Sequence, residues 1–186
     1  MGNASANNPA GYAGTGLRGR FEGGTYVVGL NLGFLPDQGG RTTGNGNDLL
    51  VGGINADITS GNFSLLTEYL ASRNDHGATT GRDAASWGIY VQPSYKFDRH
   101  WEGVARYCYV DTDGRGINLS DGIRSAPSGG TMDKLTEYYL GLTYYVFGND
   151  LKVQAGYVYG ETRDTVTGGT AKATASGMRS QMQVQF

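Results

Sequence analysis

The closing stretch Ser176-Gly-Met-Arg-Ser-Gln-Met-Gln-Val-Gln-Phe186 alternates: Met178, Met182, Val184 and Phe186 take one phase, and Arg179, Gln181, Gln183 and Gln185 take the other. A pleated strand sends successive side chains to opposite faces, so this segment has an apolar side and a wet side. Such a strand suits a wall with lipid outside and water inside, and the terminal aromatic fits the same picture. A strand in a water-soluble sandwich alternates in the same way, so the reading depends on whether the rest of the chain repeats the pattern.

It does. Working back from the C-terminus, nine segments read as strands, at roughly 16–22, 25–35, 48–59, 62–73, 85–97, 100–110, 134–147, 150–161 and 175–186. Short connections at Glu22-Gly-Gly-Thr25, Ser60-Gly-Asn62, Asp98-Arg-His100 and Gly148-Asn-Asp150 take turns with long ones around 36–47, 74–84, 111–133 and 162–174. Tight turns at one end and long loops at the other are the rhythm of outer-membrane barrels.

One phase of the nine strands gives 44 positions with no charge among them, for example Leu30, Ile54, Leu140 and Val153. At the chain's 17% charged content about seven charges would fall there by chance. Asp48, Arg73, Lys134 and Glu161 share this phase but sit at the long-loop rim. The intervening positions hold eleven charges: Arg18, Arg20, Glu22, Asp57, Glu68, Lys96, Glu102, Arg106, Glu137, Lys152 and Arg179. A charge on the lipid face near the midplane costs roughly 2 to 4 kcal/mol, which explains the segregation. Aromatics on the apolar phase collect near the short turns (Phe21, Tyr95, Trp101, Tyr144) and near the long loops (Tyr69, Trp87, Tyr138, Tyr159), with aliphatic residues between. Two belts around an aliphatic waist match two membrane interfaces.

Composition agrees. The 186 residues fit one domain, and 32 glycines, 13 tyrosines and four prolines point to many turned strands. The mean hydropathy of -0.39 is too polar for a bundle of membrane helices. Fifteen basic against 17 acidic residues give no electrostatic case for nucleic acid. Cys108 stands alone, which excludes an intrachain disulfide. The expected fold is therefore all-β: a transmembrane, antiparallel, up-and-down β-barrel.

Nine strands is an odd number, whereas single-chain bacterial barrels have an even one with both ends periplasmic. Residues 1–15 lack the basic start and apolar run of a signal peptide, and they read as the remnant of an extracellular loop. Residues 16–186 are then the C-terminal strands of a larger barrel.

Several segments in order resemble the phosphate-selective porin O and P family: Phe63-Ser-Leu-Leu-Thr-Glu-Tyr-Leu70, Gly88-Ile-Tyr-Val-Gln-Pro-Ser-Tyr95, Trp101-Glu-Gly-Val-Ala-Arg-Tyr107, Tyr138-Tyr-Leu-Gly-Leu-Thr-Tyr-Tyr-Val146, Asn149-Asp-Leu-Lys-Val-Gln154 and Arg179-Ser-Gln-Met-Gln-Val-Gln-Phe186. The resemblance covers about residues 48–186. It implies a sixteen-stranded, trimeric pore in the bacterial outer membrane, with lipid and lipopolysaccharide around it. It also implies that the C-terminal Val184 and Phe186 serve as a signal to the barrel-assembly machinery. It does not carry phosphate selectivity, because the family's anion site depends heavily on an inward-folded loop and basic ladder in the earlier half.

The inner face is nearly balanced, with six basic residues (Arg18, Arg20, Lys96, Arg106, Lys152, Arg179) against five acidic ones (Glu22, Asp57, Glu68, Glu102, Glu137). These side chains either crosslink the wall, as Glu68 and Arg106 would across the strand between them, or guide ions. Elsewhere the carboxylates of Asp111-Thr-Asp-Gly-Arg-Gly-Ile-Asn118 miss the calcium-loop spacing. His76 and His100 fall at opposite rims, so no hydrolytic triad assembles. No enzyme, metal or cofactor is expected. The functional expectation is part of a channel for passive diffusion of small hydrophilic solutes or ions, with anions such as phosphate in view. The alternative is a non-channel barrel acting as an adhesin or anchor through its long loops.

Overall fold

Eight antiparallel ladders, each between neighbours in the sequence, join nine strands into one open sheet. The computed structural model describes residues 11–36, 48–74, 83–113, 132–165 and 172–185. The strands are β1 Gly11–Phe21, β2 Gly24–Leu35, β3 Leu49–Ser60, β4 Phe63–Asn74, β5 Ala84–Lys96, β6 Trp101–Asp111, β7 Lys134–Phe147, β8 Leu151–Arg163 and β9 Lys172–Val184. Residues 1–10, most of the four long loops with His76, and Phe186 lie outside the described residues.

Register carries the argument, since a slip of one residue in any ladder would turn a whole strand over. None occurs in the body of the wall. Leu30 pairs with Ile54, Ile54 with Tyr69, and Tyr69 with Ile89. Ile89 pairs with Tyr109, and Ala105 with Leu140. Leu140 pairs with Tyr157, and Tyr157 with Met178. The apolar phase of every strand therefore falls on one surface. That surface is open rather than packed: Leu140 is 69% exposed, and among the described residues only Met132, Leu135 and Val158 are buried apolar side chains. A sandwich needs a second sheet to cover such a face, and all nine described strands belong to one layer. Strands of 11 to 14 residues are long enough to cross a bilayer at a barrel's tilt.

The aromatic belts form as ring clusters on this face. Tyr69, Trp87 and Tyr109 follow one another at 6.1 and 4.9 Å between centroids, and Tyr107, Tyr138 and Tyr159 at 5.3 and 6.5 Å. At the short-turn rim Trp101 lies 4.8 Å from Tyr144, and Tyr95 lies 5.6 Å from Phe97.

Three details differ from the sequence reading. β1 starts at Gly11 rather than at residue 16, because Gly11–Thr15 pair residue by residue with Phe34–Leu30. Glycine and alanine there give no hydrophobic contrast, and the one large residue, Tyr12, shares the phase of Arg18, so the strand is silent in the sequence. Glu22 lies in the β1–β2 turn instead of on the strand. A bulge between Tyr145 and Phe147 makes Val146 the extra residue and hands its outward place to Phe147, which pairs with Leu151.

The turns explain their own sequences. Gly23 and Gly148 adopt φ of 78° and 56°, a left-handed backbone that favours glycine and lets the chain reverse in two or three residues. In the β5–β6 turn Asp98 Oδ1 accepts from the His100 and Trp101 amides at 2.7 and 2.9 Å. At the opposite rim Asp133, 1% exposed, accepts from the Thr165 amide and hydroxyl, both at 2.6 Å. Its own carbonyl takes the Thr112 amide and hydroxyl at 2.8 and 3.0 Å. The stems of two long loops are tied to this one residue.

Candidate pore wall

The second face of the sheet carries the charges. Ladder partners place Arg18 level with Val27 and Asp57, and Arg20 level with Thr25 and Thr59. Glu68 stands opposite Asn55 and Tyr90. Lys96 lies in one row with Glu102, Thr143, Gln154 and Gln181. Arg106 faces Tyr139, Glu137 faces Cys108 and Gly160, Lys152 faces Tyr145 and Gln183, and Arg179 faces Gly156. Ten of the eleven expected inner charges thus share one surface, and Glu22 is the exception. Val184 closes the outer face of β9, opposite Leu151.

Between β5 and β9 these side chains surround a polar concavity of about 610 Å³, bordered by Gln92, Glu102, Arg106, Lys152, Arg179 and Gln181 among others. A larger hollow of about 940 Å³ lies on the opposite, apolar face over Gly103, Ala105 and Ala155, and holds no charged group. Its lining suits hydrocarbon.

On this part of the face the acids of β6 and β7 are engaged. Arg106 donates to Glu137 Oε1 at 3.1 Å, with the carboxylate side chain only 4% exposed. The crosslink expected between Arg106 and Glu68 therefore gives way to a nearer partner on the adjacent strand. Glu102 accepts the hydroxyl of Tyr145. Lys96 and Lys152 stand 5.3 and 5.8 Å from the centroid of that same ring, close enough for each ammonium to feel its negative face. Arg106 likewise lies 5.0 Å from the Tyr139 ring. Gln154 Nε2 donates to Thr143 Oγ1 at 3.2 Å.

A reading by charge alone passes over the tyrosines of this wall. Tyr90, Tyr139 and Tyr145 occupy the wet phase, away from the belts, and that misplacement was the available signal. Tyr139 fills the space left by Gly141 and Gly156. Tyr90 donates to Gln92 Oε1 at 2.5 Å.

His100 Nδ1 lies 2.9 Å from the Tyr145 carbonyl oxygen, a structural role at the short-turn rim. Asp111 and Asp113, from the loop weighed for calcium, are tied locally: Asp113 N donates to Asp111 Oδ1 at 2.9 Å, and Lys134 holds Asp111 Oδ2 at 3.4 Å.

A single-layer antiparallel meander that is apolar outside, charged within and belted at both rims is the wall of a transmembrane β-barrel. Residues 7–186 match the family model described as phosphate-selective porin O and P. The chain belongs to that porin family. Neither the curated proteins nor the solved structures gave a match to it.

Proposed function

We propose that this chain forms part of a water-filled channel in the bacterial outer membrane, through which small hydrophilic solutes diffuse passively with a modest preference for anions. The preference rests on one observation. The inward strand positions of β5 to β9 hold four basic residues (Lys96, Arg106, Lys152, Arg179) and two acidic ones, and both acids are held by neighbours, Glu102 by Tyr145 and Glu137 by Arg106. Those of β1 to β4 hold two of each sign: Arg18, Arg20, Asp57 and Glu68. The net positive charge therefore gathers on one side of the lumen, around a concavity that also offers glutamine side chains as hydrogen-bond donors.

Family membership supports the channel over an adhesin or anchor, and phosphate is one anion among those that such a wall would pass. In the assembled protein the apolar face meets outer-membrane lipid and lipopolysaccharide, further strands close the barrel, and three copies associate. The C-terminal strand, with Val184 and Phe186, presents the signal for the barrel-assembly machinery. Planar-bilayer recording on the full-length protein tests the proposal: steady open current with reversal potentials on the anion side is expected under a potassium chloride gradient. A sealed barrel would overturn it, and a cation-selective one would remove the anion preference.

A further inference from the structure

Three cations stand side by side on the outer face at the long-loop rim. Lys134 of β7 pairs in register with Arg163 of β8, and Arg163 with Lys172 of β9. Directly opposed like charges destabilise a sheet, so a row of three needs counter-charge. Two carboxylates supply part of it. Asp111 holds Lys134 at 3.4 Å, and Glu161 bridges Arg163 at 2.5 Å and Lys172 at 2.6 Å. The buried Asp133, next to Lys134 in the chain, adds a third negative charge, while the Arg163 and Lys172 side chains stay 59% and 48% exposed and open to a further anion.

Depth narrows the source of such an anion. Lys134 lies four residues beyond the belt residue Tyr138 along β7, about 13 Å of strand and about 9 Å of height at a 45° tilt. That lifts Lys134 from the hydrocarbon edge into the headgroup layer, and Arg163 stands as many residues beyond the belt residue Tyr159. The other rim has no counterpart, for its outward strand positions, among them Phe21, Phe63, Tyr95, Trp101 and Leu151, are uncharged. The wall is therefore asymmetric in the way that a membrane with one densely phosphorylated leaflet would require.

We infer that Lys134, Arg163 and Lys172 form a docking site for the phosphorylated headgroup of an outer-leaflet glycolipid. The headgroup phosphate meets the exposed cations of the row, and its acyl chains continue down the apolar face below. The inference rests on the proposed orientation, with the long loops outside the cell.

The test uses full-length protein folded in neutral detergent and bis-phosphorylated lipid A, with bound lipid counted by native mass spectrometry. Replacing all three cations (Lys134→Gln, Arg163→Gln, Lys172→Gln) should weaken binding on the order of a hundredfold, the combined effect of three basic residues at a lipid surface. The charge-keeping triple (Lys134→Arg, Arg163→Lys, Lys172→Arg) should retain it. Lipid A stripped of phosphate should bind the unaltered protein as weakly as the glutamine variant binds the intact lipid. Equal binding by the glutamine variant, or equal binding of the stripped lipid, would overturn the site. Displacement of lipid A by millimolar inorganic phosphate would reassign the row to a free anion, and binding that disappears with a calcium chelator would reassign it to a metal bridge on Asp111 and Glu161. Conductance of the same samples is a separate readout: a silent protein that still binds lipid A removes the channel and leaves the docking site.

Discussion

The Tyr139 ring lies over Gly156 so closely that a Cβ added to the glycine would sit 2.5 Å from the ring. The ring has little room to yield, because Gly141 lies beneath it as well and the Arg106 guanidinium stands 5.0 Å from its centroid. Gly156→Ala should therefore destabilise the folded barrel by about 1 to 3 kcal/mol, the usual cost of overpacking. Urea unfolding of vesicle-inserted protein checks it, and Gly156→Ala combined with Tyr139→Ala should recover part of the loss.

The outer face makes the opposite demand. Leu140 is one of the most exposed large residues of the chain and stands at the waist between the belts. Leu140→Arg should cost roughly 2 to 4 kcal/mol in a bilayer. The same substitution in a soluble sheet face would be nearly neutral, so an unchanged unfolding midpoint in vesicles would refute the lipid contact.

Wall charge should be legible in current. Lys96 and Lys152 share the ring of Tyr145, and reversing both with Lys96→Glu and Lys152→Glu should lower the anion-to-cation permeability ratio about fivefold, the scale of a ~1 kcal/mol interaction at close range in water. Tyr145→Phe should move the ratio in the same direction by less, since it removes only the hydroxyl that donates to Glu102. Reversal potentials in asymmetric salt provide the measurement.

Asp98 gives a pH signature outside the membrane. The amide of His100, with that of Trp101 second, holds its carboxyl below the ordinary value of 3.8. A depressed folded-state pKa means that the stabilisation is present above the unfolded value and is lost as pH falls through the folded one. The unfolding midpoint should drop as pH is lowered beneath about 4, and Asp98→Ala should flatten that drop. An identical acid profile in the variant would show that the turn contributes nothing.

Much of this was open to reading in the chain. Alternation set the phase of all nine strands because lipid and water impose opposite demands every second residue, and the ladders keep that phase from β1 to β9. Gly11–Thr15 escaped notice because glycine and alanine suit either environment and the one large residue, Tyr12, falls on the wet phase. The bulge at Val146 was hidden for a different reason: an extra residue beside a turn is fixed by how the partner strand closes, not by hydrophobicity. The inner charges were legible as a set, since charge marks the wet phase. Their pairing was not, for Arg106 has Glu137 one strand away and Glu68 two strands away, and only side-chain reach decides between them.

Asp133 joins the stems that follow β6 and β8 through Thr112 and Thr165, so the barrel keeps its shape at the roots of those loops whatever lies farther along. Changes of sequence farther along those loops can then be made while the scaffold stays constant. In the proposed orientation, the same economy makes the segment between Asp113 and Met132 a place to graft a foreign epitope for display.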